Sequence, residues 1–174
     1  MSMKNATELA RLQAEAIALL RNNRPERPPL PFLLNPLVEW FEERHVALMR
    51  QGAFPEARRA FNPVFIHLPA DGCRLTELAR RANMTKQAMS ELVDELVGLG
   101  YLVRFPDPAD GRAKIILRAR KGLEAHETTM RAFAQIEREL ASLLGRDALD
   151  DLRDGLAAAR QTIVPAGRDP EKKG

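Results

Sequence analysis

The chain has 174 residues, with 27 Lys and Arg against 24 Asp and Glu, 45% hydrophobic residues and a single cysteine, Cys73. That length predicts one domain with a buried core, and a lone cysteine excludes an internal disulfide and fits a reducing compartment. No apolar run approaches the ~20 residues of a membrane span and no cleavable signal pattern opens the chain, so a cytoplasmic protein without membrane contact is expected.

In chain order, Leu9, Leu12, Ala16, Leu19 and Leu20 form a helical stripe closed by Asn22-Asn23. Residues 24–36 (RPERPPLPFLLNP) are rich in proline and predicted to be an extended connector. Leu37, Trp40, Phe41 and Leu48 mark the next helix. Ala57, Phe61, Val64, Phe65 and Leu68 mark another, which Pro63 either kinks or splits. Thr76 begins a short run with Leu78, Ala79 and Ala82, with Glu77 near the positive end of the helix dipole, and Asn83-Met84 breaks it. Thr85 opens a second run that keeps Ala88, Met89, Leu92, Val93, Leu96 and Val97 on one face and ends at residues 98–100. Two helices with so short a break are a helix-turn-helix. The pattern then becomes strand-like over residues 101–105, turns through 106–111, and is strand-like again over 114–117, which predicts a β-hairpin wing. Beyond Gly122, Met130, Phe133, Ile136, Leu140, Leu143 and Leu144 form a long helical stripe. Leu149, Leu152, Leu156, Ala159 and Ile163 form the last one. Residues 165–174 read as a polar, disordered tail.

The expected fold is therefore mainly α with a small β-hairpin wing, a winged helix-turn-helix, and the apolar helices at about 35–69 and 120–164 either fold back on it or form a helical dimerisation region. The divisions are an N-terminal helix and Pro-rich extension (1–34), a winged-helix domain (35–164) with its DNA-reading lobe at about 70–120, and the tail. Charge supports that lobe: between Arg74 and Lys121 ten basic residues stand against six acidic ones, the excess that phosphate neutralisation requires.

The segment LTELARRANMTKQAMSELVDELVGLGYLVRFPDPADGRAKIILRARKG resembles the MarR family of bacterial transcriptional regulators. The resemblance lies in both helices, the strand ending in Arg104, the D-P-x-D-x-R wing and the closing Lys-Gly. It is strongest over residues 74–122 and extends, on helix order alone, over about 36–163. The sequence departs from the family at Arg118-Ala119, where members carry Leu-Thr. A lost Thr cap there costs about 1 kcal/mol. The N-terminal extension before Asn35 is a second departure. The resemblance implies a homodimer whose first and last helices interlock, presenting two recognition helices about 34 Å apart to a pseudo-palindromic site. The extension either widens that dimer contact or covers a ligand pocket.

At the start of the second helix, Thr85, Lys86, Gln87 and Ser90 are polar residues opposite the apolar stripe. Gln87 can pair bidentately with adenine, Lys86 suits phosphate or guanine, and Thr85 and Ser90 can bond phosphate or base edges. Thr85 is also expected to cap its helix. Asp94, a turn further on, is either solvent-facing or an ion-pair partner. Arg112 in the wing can enter a narrow, A·T-rich minor groove. Asp110 is expected, from the resemblance, to orient Arg112. Lys114 suits phosphate, and Arg104 either does the same or pairs with Asp107 or Asp110. The resemblance also implies a small aromatic effector, with Trp40, Phe41, His45, Phe61 and Phe65 as candidate lining. Cys73 is expected to be an unreactive cysteine.

Enzyme chemistry, cofactors and metals find no pattern to rest on. His45, His67 and His126 match no metal-ligand spacing, and neither a phosphate loop nor a nucleophile elbow is present. The expectation is a double-stranded DNA-binding dimeric repressor relieved by a small molecule. The alternative is a winged-helix interaction or architectural module that binds DNA weakly and without sequence preference.

Overall fold

The computed structural model describes residues 3–22 and 25–163; the tail assigned to 165–174 lies outside them. Two compact units are distinguished, Met1–Trp40 and Phe41–Gly174. The first holds α1 (Met3–Asn22) and the start of α2 (Leu30–Gln51). The connector expected over 24–36 is thus shorter than its proline content suggested, because residues 30–36 are helical. Pro31 sits in the first turn, where a missing N–H costs nothing, and Phe32 N–H bonds to the Pro29 carbonyl at 2.9 Å. Pro36 removes one interior bond, but the leucines around it are strong helix formers and the helix continues.

In the second unit a 3₁₀ turn (Arg59–Phe61) precedes α3 (Asn62–His67). Pro63 stands in the first turn of α3, so it splits the predicted helix. β1 (Cys73–Arg74), α4 (Leu75–Arg81), α5 (Lys86–Gly98), β2 (Leu102–Asp107), β3 (Asp110–Arg118), α6 (Arg120–Leu144) and α7 (Arg146–Ile163) follow. The sheet is antiparallel in the order β1-β3-β2. Its third strand, β1, is too short for periodicity to show. The core consists of Val64, Leu78, Met89, Val93, Leu96, Tyr101, Leu102 and Ile116 with their neighbours, so α3, α4, α5 and the sheet share one apolar centre.

Helix ends are set by named backbone bonds. Asn83 takes φ 51°, with its N–H on Arg80 O and the Met84 N–H on Ala79 O, which is a Schellman stop closing α4. Asn is among the few side chains that tolerate this conformation. Gly100 (φ 79°) closes α5 the same way, through Gly100 N–H to Val97 O and Tyr101 N–H to Leu96 O. At the start of α6, Ala119 offers no side-chain cap. Its N–H instead donates to Tyr101 O at 2.8 Å. Arg118, next to it in the same departure from the family pattern, donates to Phe65 O at 2.8 Å and Pro69 O at 3.3 Å, and so satisfies a carbonyl at the end of α3.

Gly122 makes the junction possible. A Cβ there would lie 2.2 Å from Tyr101 O. Gly122→Ala is expected to cost about 1–3 kcal/mol through forced displacement of α6. In contrast, Gly98→Ala, where nothing lies within 4 Å, should leave the thermal melting temperature nearly unchanged; equal melting of both variants would contradict this account.

The Phe41–Gln51 half of α2 is braced on α6 by Arg44, whose Nε and Nη2 meet Glu139 at 2.7 and 2.6 Å. The Arg44 hydrogen bonds hold the Glu139 carboxyl down to about 2, from an ordinary value of 4.5. A depressed carboxylate contributes stability above its unfolded pKa and loses it as pH falls through the folded one. Glu139→Gln should therefore flatten the stability curve between about pH 4.5 and pH 2 and nowhere else, as followed by chemical denaturation across that range.

Candidate nucleic-acid interface

The first turn of α5 carries the polar face expected of it. Thr85 stands at the N-cap in extended conformation, and its hydroxyl accepts the Ala88 N–H at 3.2 Å. Lys86 and Gln87 are exposed and Ser90 is half-buried, while Met89 and Val93 on the opposite side are fully buried. Burial of that stripe fixes the rotation of the helix, so the outward placement of Lys86 and Gln87 follows from the core. Two of the polar side chains are held from within the helix. Gln87 Nε2 reaches Glu91 Oε1 at 3.3 Å, and Ser90 Oγ donates to Asp94 Oδ2 at 3.1 Å.

Asp94 also receives Arg104, Nη1 to Oδ1 at 2.5 Å. This corrects the salt-bridge alternative for Arg104: its carboxylate is on the recognition helix, not at Asp107 or Asp110 in the wing. Arg104 lies on β2 and points across to α5, so the pair ties the wing strand to the helix. The Arg104 contact in turn pulls the Asp94 carboxyl below its ordinary value.

The hairpin is longer than its sequence suggested. β2 reaches Asp107 and β3 begins at Asp110, leaving Pro108-Ala109 as the turn. Asp107 and Pro108 resemble turn residues, yet Pro106 is allowed within β2 because β2 is an edge strand. The register jumps from Pro106 opposite Lys114 to Asp107 opposite Asp110, so residues 111–113 bulge from β3. Arg112 sits in that bulge, the kind of irregularity that re-aims a side chain. Asp110 acts on it through the backbone: Oδ1 accepts the Arg112 N–H at 3.2 Å. The expected orientation of the Arg112 side chain by Asp110 is thus replaced by anchoring of its main chain.

An open cleft of about 510 Å³ runs between α5 and the wing, lined by residues that include Thr76, Lys86, Ser90, Arg104 and Lys114. Among the described residues, the side chains of Lys86, Arg112 and Lys114 make no hydrogen bond or ion pair. Two of these uncommitted cations, Lys86 and Lys114, line the cleft beside α5 and the third stands in the wing bulge, whereas Arg74, Arg80, Arg81 and Arg104 are all paired with carboxylates.

The residues expected around an effector each have their own surroundings. Phe61 is 4% exposed in the core, and Phe65 packs edge-on to Tyr101 with ring centroids 6.0 Å apart. His45 lies against α6, its Nε2 3.2 Å from Thr129 Oγ1 and its ring 5.0 Å from Phe133; burial lowers its pKa. Trp40 and Phe41 are partly exposed. A separate cleft of about 490 Å³ opens between α2 and the 3₁₀ turn, lined by Glu43, Val46, Ala47, Arg50, Arg58 and Arg59. Sequence periodicity did not point to it, since its apolar floor is made of small residues. Cys73 is half-buried in β1, and burial pushes its thiol up to about 11, which favours the protonated form near neutral pH. No group of three or more His, Cys, Asp and Glu among the described residues is arranged to hold a metal. No helix among them is long and apolar enough to cross a membrane.

Residues 66–113 match the MarR family model. The helix-turn-helix and wing are thus similar to those of the MarR family. Solved structures agree with that. The transcriptional regulator Tm0710 from Thermotoga maritima is 25% identical, with 77% of this chain and 94% of that one covered at a TM-score of 0.57. Reduced MarR from E. coli is 20% identical over 81% of this chain and all of that one, with a TM-score of 0.67. A mutant of MepR from S. aureus, bound to an oligodeoxyribonucleotide, is 17% identical over 78% and 99%, with a TM-score of 0.55. No curated protein matches by sequence. These solved structures share the fold of this chain.

The Thr85 cap separates folding from contact. Thr85→Ser should keep stability and Thr85→Ala lose about 1 kcal/mol in denaturant unfolding; equal stability of the two would remove the capping role.

Proposed function

We propose that the chain is a dimeric, sequence-specific repressor that binds a pseudo-palindromic operator and is released by a small aromatic effector. The observation that carries the DNA half is that Lys86 and Lys114 line the cleft beside the exposed first turn of α5 and Arg112 stands in the wing bulge, with none of the three paired to a carboxylate. Free cations can neutralise phosphates without first breaking an ion pair, and Gln87 and Ser90 beside them offer donors and acceptors to base edges. In this reading Thr85, Lys86, Gln87 and Ser90 enter the major groove. Arg112 enters the flanking minor groove and Lys114 meets phosphate. Arg104 contributes chiefly by holding the wing to Asp94.

The dimer half is supported by apolar surface on the helices towards both ends of the chain, α1, α2, α6 and α7. Leu9, Leu12, Leu19, Phe32, Leu33, Leu143, Leu152, Leu156 and Ile163 are all exposed in the single chain, more than a monomer ordinarily leaves in water. Effector release requires a ligand that favours the DNA-incompetent spacing of the two heads, since equal affinity for both states shifts nothing.

Selection of bound sites from random duplex DNA by the purified chain, at two salt concentrations, tests this directly. The expected product is a palindrome with half-sites about one turn, roughly 34 Å, apart, still preferred at the higher salt. Enrichment of no sequence would favour the interaction-module alternative. On the selected site, Gln87→Ala should cost about 1–3 kcal/mol at one base position per half-site. Arg112→Ala should weaken binding and relax preference for A·T-rich flanks, read by titration against flank variants. Uniform losses across sequences would reduce both residues to backbone contacts.

A further inference from the structure

The wing hairpin closes on two like charges. Asp107 and Asp110 face each other across Pro108-Ala109, and carboxylates directly opposite in a hairpin destabilise it. They also stand beside Arg112, whose guanidinium either one could capture. Neither does.

The reason lies on a different strand. Arg74 ends β1 and forms the N-cap position of α4. Its Nε and Nη2 lie 2.6 and 2.5 Å from Asp107 Oδ2, and Nη2 lies 3.8 Å from Asp110 Oδ2. The remaining oxygens hold the turn itself, with Ala109 N–H on Asp107 Oδ1 at 2.8 Å and Arg112 N–H on Asp110 Oδ1 at 3.2 Å. All four carboxylate oxygens therefore have a partner that is not the Arg112 side chain. Arg74 also pairs with Ile115 across the sheet, so its backbone is fixed to the strand that carries Arg112.

We propose that Arg74 is a positioning residue of the DNA interface: it neutralises the Asp107–Asp110 pair, holds the wing turn, and leaves the Arg112 guanidinium free for DNA. This rests on the wing being a DNA contact, as proposed above. Arg74 then acts through Arg112 and not as a phosphate ligand, although its side chain is 45% exposed.

A double-mutant cycle in the full chain tests it, using the selected operator duplex at two salt concentrations, with hydrogen exchange of the Ala109 and Arg112 amides in the free protein. Arg74→Gln should accelerate exchange at both amides and weaken binding about tenfold, the scale of losing one specific side-chain contact. In an Arg112→Ala background it should weaken binding no further. Adding Asp107→Asn and Asp110→Asn to Arg74→Gln removes the charges but keeps the acceptor oxygens, and should recover most of the lost affinity. Additive losses, with the salt slope falling by about one in the Arg112→Ala background, would make Arg74 a direct phosphate contact and overturn the proposal. Unchanged amide exchange in Arg74→Gln would overturn it while leaving the wing contact intact. If Arg112→Ala alone leaves binding unchanged, the wing contact itself falls and the proposal with it.

Discussion

The backbone carbonyl of Tyr101 is the point on which the architecture turns. It accepts the Ala119 N–H and sits so close to α6 that only glycine fits at position 122. Tyr101 directly follows the Schellman closure of α5, so one peptide group links the end of the recognition helix, the first strand of the wing and the start of the long helix. The Tyr101 ring is buried beneath it, with Phe54 and Phe65 on its sides and the Lys121 ammonium 4.4 Å from its centroid. Lys121 also donates to Leu99 O at 3.1 Å and pairs with Glu56. The start of α6 and the end of α5 are thereby joined through packed and hydrogen-bonded groups.

Electrostatics divides the basic residues of this lobe into two classes. Arg74, Arg80, Arg81 and Arg104 are matched to carboxylates and serve the structure. Lys86, Arg112 and Lys114 are not matched. A count of charges along the chain treats all seven alike, yet only the second class can neutralise a phosphate without breaking something first. The two ion pairs Arg104–Asp94 and Arg74–Asp107 fasten the wing to the helix-turn-helix at two separate places. A wing held at two points keeps a fixed distance between the first turn of α5 and the bulge at Arg112. The proposed contact of α5 and the wing with neighbouring grooves requires that pre-organisation.

At the start of α6 the tertiary structure replaces a local cap. Ala119 donates its own N–H to Tyr101 O, and Arg118 beside it is turned inward to the carbonyls of Phe65 and Pro69. The helix start is therefore secured by tertiary contacts in place of a local cap. The cost expected from the missing hydroxyl is offset by bonds that a local pattern does not contain.

The amino-acid sequence by itself determined the class of fold, the helix-turn-helix with its wing, and the polar set on α5, because each rests on local chemistry. Three-to-four spacing selects the buried face of a helix, Thr caps, Asn83 and Gly100 accept positive φ, and a Pro-Asp-rich stretch turns a hairpin. Tertiary structure alone decided the rest. The strand β1 is two residues long and exists only because β3 pairs with it. Residues 30–36 are helical despite their prolines, because one falls in the first turn and the leucines around the other carry the helix past it. Arg104 selects Asp94 on another element over the aspartates nearer in sequence, and Arg74 reaches the wing from 33 positions away. Such partners are chosen by distance in space, which the order of residues along a chain does not encode locally. That is why the polar face of the interface could be read in one dimension, whereas which of its charges are free to act could be read only in three.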